Sequence, residues 1–264
     1  MLNLLGIEWR KIKNYRTFWI LLGIIVVSIP AFNYMFYRIM GNTFPKGRNG
    51  RSMLGNPFSF PDNWHTITWF SSLLFILQAI LIITLTTNEF TFKTHRQNII
   101  DGWSRSQYNS VKLIGVLLIS VVSTIVVFLT VLGFGYIGGK VTPGLSIWHG
   151  SRFLWFYLVQ VLSYSMIAYL LAVLIKRSGL AIGLFLIYMI VEQVVMSVLS
   201  EIFHIQAATY LPEETTDRLI PFPLIQLQDP TVWEHRIAGH LIVAAIYLIL
   251  YCFVTTRYFL KSDL

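Results

Sequence analysis

Long apolar runs alternate with short polar stretches along this chain, and six of them stand out: residues 18–38, 66–87, 111–137, 152–175, 179–200 and 237–257. About 20 apolar residues carry an α-helix across the hydrocarbon core of a bilayer. In lipid the backbone must satisfy its own hydrogen bonds, so runs of this length predict helices. Barrel strands would be about ten residues long with alternating polarity, and none of these runs alternates. The pattern predicts an all-α integral membrane protein of six transmembrane helices, one domain over residues 1–264. Pro30, inside the first run, is expected to kink it. Ahead of that run, Leu2, Leu5, Trp9 and Ile12 share one helical face while Asn3, Arg10, Lys11 and Asn14 gather opposite. That arrangement predicts a basic amphipathic helix lying in the membrane interface.

Composition agrees with the pattern. The chain is 55% hydrophobic and only 12% charged, too apolar for a soluble globular domain. The single cysteine, Cys252, excludes a disulfide framework within the chain, and no Cys/His set has zinc-site spacing. The net charge of +8 is explained by topology rather than by nucleic acid. With a cytoplasmic N-terminus, twelve of the twenty basic residues fall inside: Arg10, Lys11, Lys13, Arg16, Lys93, Arg96, Arg105, Lys112, Lys176, Arg177, Arg257 and Lys261. The other eight, Lys46, Arg48, Arg51 and Lys140 among them, are spread over longer outer loops and offset by acids such as Asp62, Glu201, Asp229 and Glu234. The positive-inside bias therefore places both termini in the cytoplasm.

Between the second and third runs lies an unusually long polar stretch, "TTNEFTFKTHRQNIIDGWSRSQYNSVKLIG". "FKTHRQNIID" contains no helix breaker, and Gly102 is placed as a C-terminal stop. "SRSQ" has the form of a capping box, with Ser104 as N-cap and Gln107 reaching back. The stretch predicts a short helix across the membrane surface and a sharp restart near Arg105, with Phe92, His95, Ile99 and Trp103 exposed in a row. Such a row suits either a partner's groove or the lipid headgroups.

This stretch resembles the intracellular loop of type-2 ABC exporter permeases. The matching residues are Glu89, Thr94, Arg96, the Asp101-Gly102 turn, Ser104-Arg105 and Lys112, with Asp101-Gly102 standing where that family often has proline. "EWRKIKNYRTFW", Glu8 to Trp19, is similar to the family's N-terminal elbow helix. The resemblance implies a permease subunit without ATPase chemistry, working as a dimer in the bacterial inner membrane. It binds no cofactor of its own: ATP and Mg belong to a separate ATP-binding cassette subunit. The loop would be the coupling helix docked on that subunit, with Glu89, Phe92, Thr94, Arg96, Asn98, Asp101, Gly102, Trp103, Ser104 and Arg105 as its contact set.

Within the spans, Glu192 is the ionisable residue that stands out, since a charge at mid-membrane is costly and such groups face a protein interior or an aqueous path. Tyr188, Glu192, Met196 and Ser200 share a helix face, with Gln193 beside it, and Gln78 is the strongly polar residue of the second run. In the resembled family spans two and five line the path, which makes Gln78, Tyr188, Glu192, Gln193 and Met196 candidate pathway residues. The resemblance also implies re-entrant helices in the outer loop 201–236, where "EIFHIQAATYL" and "PFPLIQL" are apolar enough to dip back.

Three other readings compete. An ATP-independent carrier predicts homologous halves, and none is found between residues 1–137 and 138–264. Glu213, Glu214 and Arg218 mimic the E-E-x-x-x-R pattern of CAAX-type intramembrane proteases, but after Pro212 they read as a helix start. A non-transporting membrane anchor remains the third. "GFGYIGGKVT" fails the phosphate-loop spacing, and Gly135 and Gly139 read as close-packing positions instead, as do Gly179 and Gly183 at the start of the fifth run.

Overall fold

In the computed structural model of the protein, residues 2–43, 57–137, 146–223 and 237–261 are described. All regular structure among them is helical. The order is α1 (Leu2–Lys13), α2 (Arg16–Thr43), α3 (Asn63–Ser72), α4 (Phe75–Thr91), α5 (Thr94–Ile100), α6 (Arg105–Ile137), α7 (Arg152–Ile175), α8 (Ser178–Ser197), α9 (Pro212–Asp217) and α10 (Ile237–Lys261). Helices α2, α6, α7, α8 and α10 are each long and apolar enough to span, and α3 with α4, bent by 45° at their break, pass the same test only when taken together. The expected Arg48, Arg51, Lys46, Lys140, Gly139, Asp229, Glu234 and most of "PFPLIQL" lie outside the described residues.

Helix α2 runs as one helix through Pro30. A break that the sequence did not mark comes at Leu73–Leu74, a stretch without proline or glycine. Local hydrogen bonds accompany it: Thr68 donates to the Trp64 carbonyl and Ser72 to the Trp69 carbonyl, both at 2.7 Å. Side chains that bond carbonyls three or four residues back compete with the ladder and bend helices. The last turn closes short, Leu74 N–H to Ser71 O at 3.1 Å.

Helix α7 is the most buried of the five unbroken candidate spans and packs on α3, α4, α6, α8, α9 and α10. Helices α8 and α10 leave most of their apolar surface uncovered, including Ile187, Ile190, Val194, Ile242, Ile246 and Ile249. One apolar cluster gathers Phe90, Trp103, Tyr108, Tyr169, Phe185 and Phe259; a second gathers Ile29, Phe58, Trp64, Ile67, Val131 and Leu219. Between α4, α6 and α7 lies a polar node. Gln78 Nε2 donates to Ser120 Oγ at 3.0 Å and to Ser165 Oγ at 2.8 Å, and Ser123 donates to Gln78 Oε1. Buried polar groups in a span are tolerated when satisfied in this way.

The close-packing reading fails for Gly179 and Gly183, where an added Cβ meets nothing within 4 Å because that side of α8 is uncovered, and holds for Gly135. A Cβ built there would lie 2.2 Å from the Phe60 ring and 2.6 Å from Asn63 Nδ2, which itself donates to Val131 O at 2.9 Å. Gly135→Ala should therefore destabilise the permease by about 1–3 kcal/mol through overpacking, read as a lowered unfolding midpoint in detergent. An unchanged midpoint would mean Phe60 swings aside freely.

Candidate functional site

The polar stretch after α4 is built as the sequence punctuates it. Lys93 takes a left-handed conformation, φ 56°, which ends α4 and starts α5 on a new phase. At the other end Gly102, φ +95°, stops α5. Gly102 N–H bonds Ile99 O at 3.0 Å and Trp103 N–H bonds Asn98 O at 3.1 Å, the paired closure that a left-handed glycine permits. The capping box forms reciprocally: Gln107 N–H to Ser104 Oγ at 3.1 Å, and Ser104 N–H to Gln107 Oε1 at 2.9 Å.

What the loop shows to solvent differs from the expected row. Phe92 is exposed, at 71%, but His95 is buried, Ile99 half-buried and Trp103 only 7% exposed. Ile100, at 84%, is exposed instead, alongside Arg96, Gln97 and Asp101. The left-handed Lys93 resets the helical phase, so a wheel drawn continuously from Phe92 turns the wrong side inward.

The buried side of the loop is tied to its neighbours. His95 Nδ1 lies 3.1 Å from Glu89 O, and Thr94 Oγ1 donates to the same oxygen at 3.5 Å. Lys112 Nζ donates to both Glu89 and Glu8, while Tyr108 Oη donates to Glu89 Oε2 at 2.5 Å. Lys11 Nζ donates to Asn98 Oδ1 at 2.5 Å and sits 5.8 Å from the Trp103 ring centre. Asn88 donates to Tyr15 Oη. Helix α1 is thus bolted to α6 through Glu8 and to the α5 loop through Lys11, and Tyr15 just beyond α1 holds α4, none of which the sequence pattern singled out for this work. Its predicted apolar face is also rotated. Glu8 is buried, Ile12 partly so, and Trp9 exposed against Trp19 at 6.3 Å; the side chains of Leu2, Asn3 and Leu5 lie outside the described residues.

Arg105 Nη1 donates to Leu260 O at 3.1 Å, and Lys176 Nζ lies 5.6 Å over Phe90 and 5.5 Å over Tyr258. Helix α1, the α5 loop, the α7–α8 turn and the end of α10 therefore share one basic end of the bundle.

A second polar centre lies at the far end of α8. Glu192, buried, accepts hydrogen bonds through Oε1 from the backbone N–H of Glu213 at 2.6 Å and of Glu214 at 3.2 Å, and through Oε2 from Tyr188 Oη. Pro212 occupies the first turn of α9, as the helix-start reading expects. Tyr164 Oη and Gln160 Nε2 both donate to Asp217 Oδ1, at 2.7 and 2.8 Å. Arg218 pairs with Glu214 at 2.6 Å, the ordinary i,i+4 geometry. Gln193 is exposed on α8, and Met196 is half-buried with Ser200 Oγ 3.8 Å from its sulfur. Gln78 belongs to the node between α4, α6 and α7. Asp217, Tyr164 and Gln160 were not foreseen, because their meeting depends on α9 folding back onto α7.

Residues 4–192, which run from the first turn of α1 to Glu192, match the family model described as ABC-2 family transporter protein. The chain belongs to that family. No curated protein matches it. As an ABC-2 permease it is an integral membrane transport component of an ABC transporter, not itself catalytic.

Proposed function

We propose that this ABC-2 permease is the transmembrane half of an ATP-driven exporter, acting as a dimer on a separate ATP-binding cassette subunit that carries the ATP and Mg. One observation carries the reading. In the α5 loop, Asn98, His95 and Trp103 are spent on holding the loop to α1, α4 and α6, while Phe92, Arg96, Ile100 and Asp101 are presented outward. Two large apolar groups flanking a cation on a pinned turn form a docking knob, since such groups dominate contact energies when desolvated. The basic end that holds the loop faces the cytoplasm under the positive-inside bias, which supports cytoplasmic termini and a bacterial inner membrane.

Glu89, Thr94, Gly102, Ser104 and Arg105 shape the knob rather than touch the partner. The pathway is proposed along α8, where Gln193 and Met196 adjoin the Tyr188–Glu192 pair and much apolar surface is left for a second permease copy. Gln78 braces α4 against α6 and α7.

Co-purification in mild detergent tests the reading. A tagged wild-type permease should bring down a stoichiometric ATP-hydrolysing subunit, and Phe92→Asp with Ile100→Asp should weaken that association at least about thirty-fold, the scale of a lost hot spot, at unchanged expression. A folded wild-type dimer that binds no ATPase would overturn the exporter reading.

A further inference from the structure

We propose that the outer end of the permease carries a proton-operated latch: α9 rests against α7, α8 and α10 while Glu213 holds a proton, and lifts away from Glu192 when that proton leaves.

The geometry is that of one helix held through its backbone by a carboxylate while its own carboxylates are packed inward. Glu192 accepts from both the Glu213 and Glu214 N–H groups, so α9 is anchored to α8 at its first turn. Glu213, 1% exposed, lies beside that anchor with its Oε1 unpartnered. Asp217, four residues on and so on the same face, is held by Tyr164 and Gln160 of α7. Gln160 points its amide at Asp217, yet its own Oε1 is buried without a donor. Among the described residues, no group of three or more His, Cys, Asp or Glu is arranged to hold a metal ion.

Among the described residues, no cation is paired with Glu213. Helix α8 presents Glu192 and Tyr188, α7 presents Tyr164 and Gln160, and α10 presents Tyr247, Tyr251 and His240. The preceding turn gives Tyr210, whose carbonyl accepts from Tyr247 Oη at 3.0 Å. On α9 itself Arg218 is paired with Glu214. His65 of α3 lies against the Pro221 carbonyl at 2.7 Å, just beyond α9. Burial, then the charges of Glu192 and Asp217, raise Glu213 from the usual carboxylate range to about 9. Burial raises Asp217 to about 6, against the two hydrogen bonds that favour its charged form.

The direction of the effect follows from linkage. A carboxyl whose value is higher docked than free binds its proton better in the docked state, so docking is strongest in acid and weakens as pH rises toward the docked value. Asp217 completes its change near pH 6, which leaves the window from pH 7 to 9 to Glu213. There the undocked fraction should grow about tenfold per pH unit.

A nitroxide pair at Ala207, exposed on the turn before α9, and Val191, exposed on α8, reads the latch in the full chain in nanodiscs, with Cys252→Ala removing the native thiol. The expected result is a longer-distance population that rises from pH 7 to 9 in the parent and is absent in Glu213→Gln. An infrared titration gives the second reading: a protonated carboxyl band lost near pH 9 in the parent and missing from E213Q. A pH-independent distance in the parent, an unaltered response in E213Q, or no carboxyl titrating near pH 9 in the parent would overturn the latch. Both readings use the permease alone, so the latch fails or survives separately from the ATPase partner.

Discussion

Replacing Lys112 by methionine is expected to cost the folded permease about 3–5 kcal/mol, the scale of a buried ion pair broken from one side. Lys112 Nζ is the shared donor for Glu8 of α1 and Glu89 of α4, and the three side chains are about nine-tenths buried. Removing the ammonium leaves two carboxylates packed together with nothing between them. The loss falls on the seam that joins α1 to the α5 loop, so the unfolding midpoint in detergent should drop and ATPase stimulation should fall with it. Lys112→Met combined with Glu8→Gln and Glu89→Gln should recover most of the stability, because swapping all members of a buried ion cluster for neutral groups is often near-neutral. Should Lys112→Met alone leave the midpoint unmoved, the cluster contributes nothing net. Should the triple variant fail to recover it, the cost lies in lost packing of the lysine stem, not in charge.

The spans were legible because lipid imposes a length and an apolar composition that sequence shows directly. Residues 152–175 coincide with α7, and the second run is the region that folds as two bent pieces. Local punctuation was equally legible: Gly102 stops α5, Ser104 and Gln107 cap α6, and Pro212 opens α9, each through bonds spanning at most five residues. The break at Leu73–Leu74 was not, because no proline or glycine marks it and the hydroxyls of Thr68 and Ser72 look ordinary in sequence. Partnerships over long separations were not legible either. Lys112 with Glu8 and Asp217 with Gln160 depend on which helices become neighbours, and no periodicity within one helix encodes that. Glu192 was conspicuous as a charge in a span, but its partner proved to be two backbone N–H groups of α9, which have no sequence signature.

Trp103 and Ile100 separate the structural role of the α5 loop from the docking role proposed for it. Trp103→Ala should cost about 3–5 kcal/mol, the usual range for truncating a buried tryptophan. The indole is 7% exposed, belongs to the cluster of Phe90, Tyr108 and Phe259, and lies under Lys11. Its inward aim follows from the turn at Gly102, where the bond from Trp103 N–H to Asn98 O swings the chain back toward the bundle. Ile100, two residues before that turn, points away from the bundle at 84% exposure. Ile100→Ala should therefore leave the unfolding midpoint within about 0.5 kcal/mol of the parent, as exposed substitutions do, while weakening ATPase association. The pair of measurements is decisive in either direction. A stable Trp103→Ala protein that loses only its ATPase would make Trp103 part of the contact surface. A destabilised Ile100→Ala protein would mean the outward face of α5 is covered by the permease itself, and the docking knob would have to be sought elsewhere on the basic end.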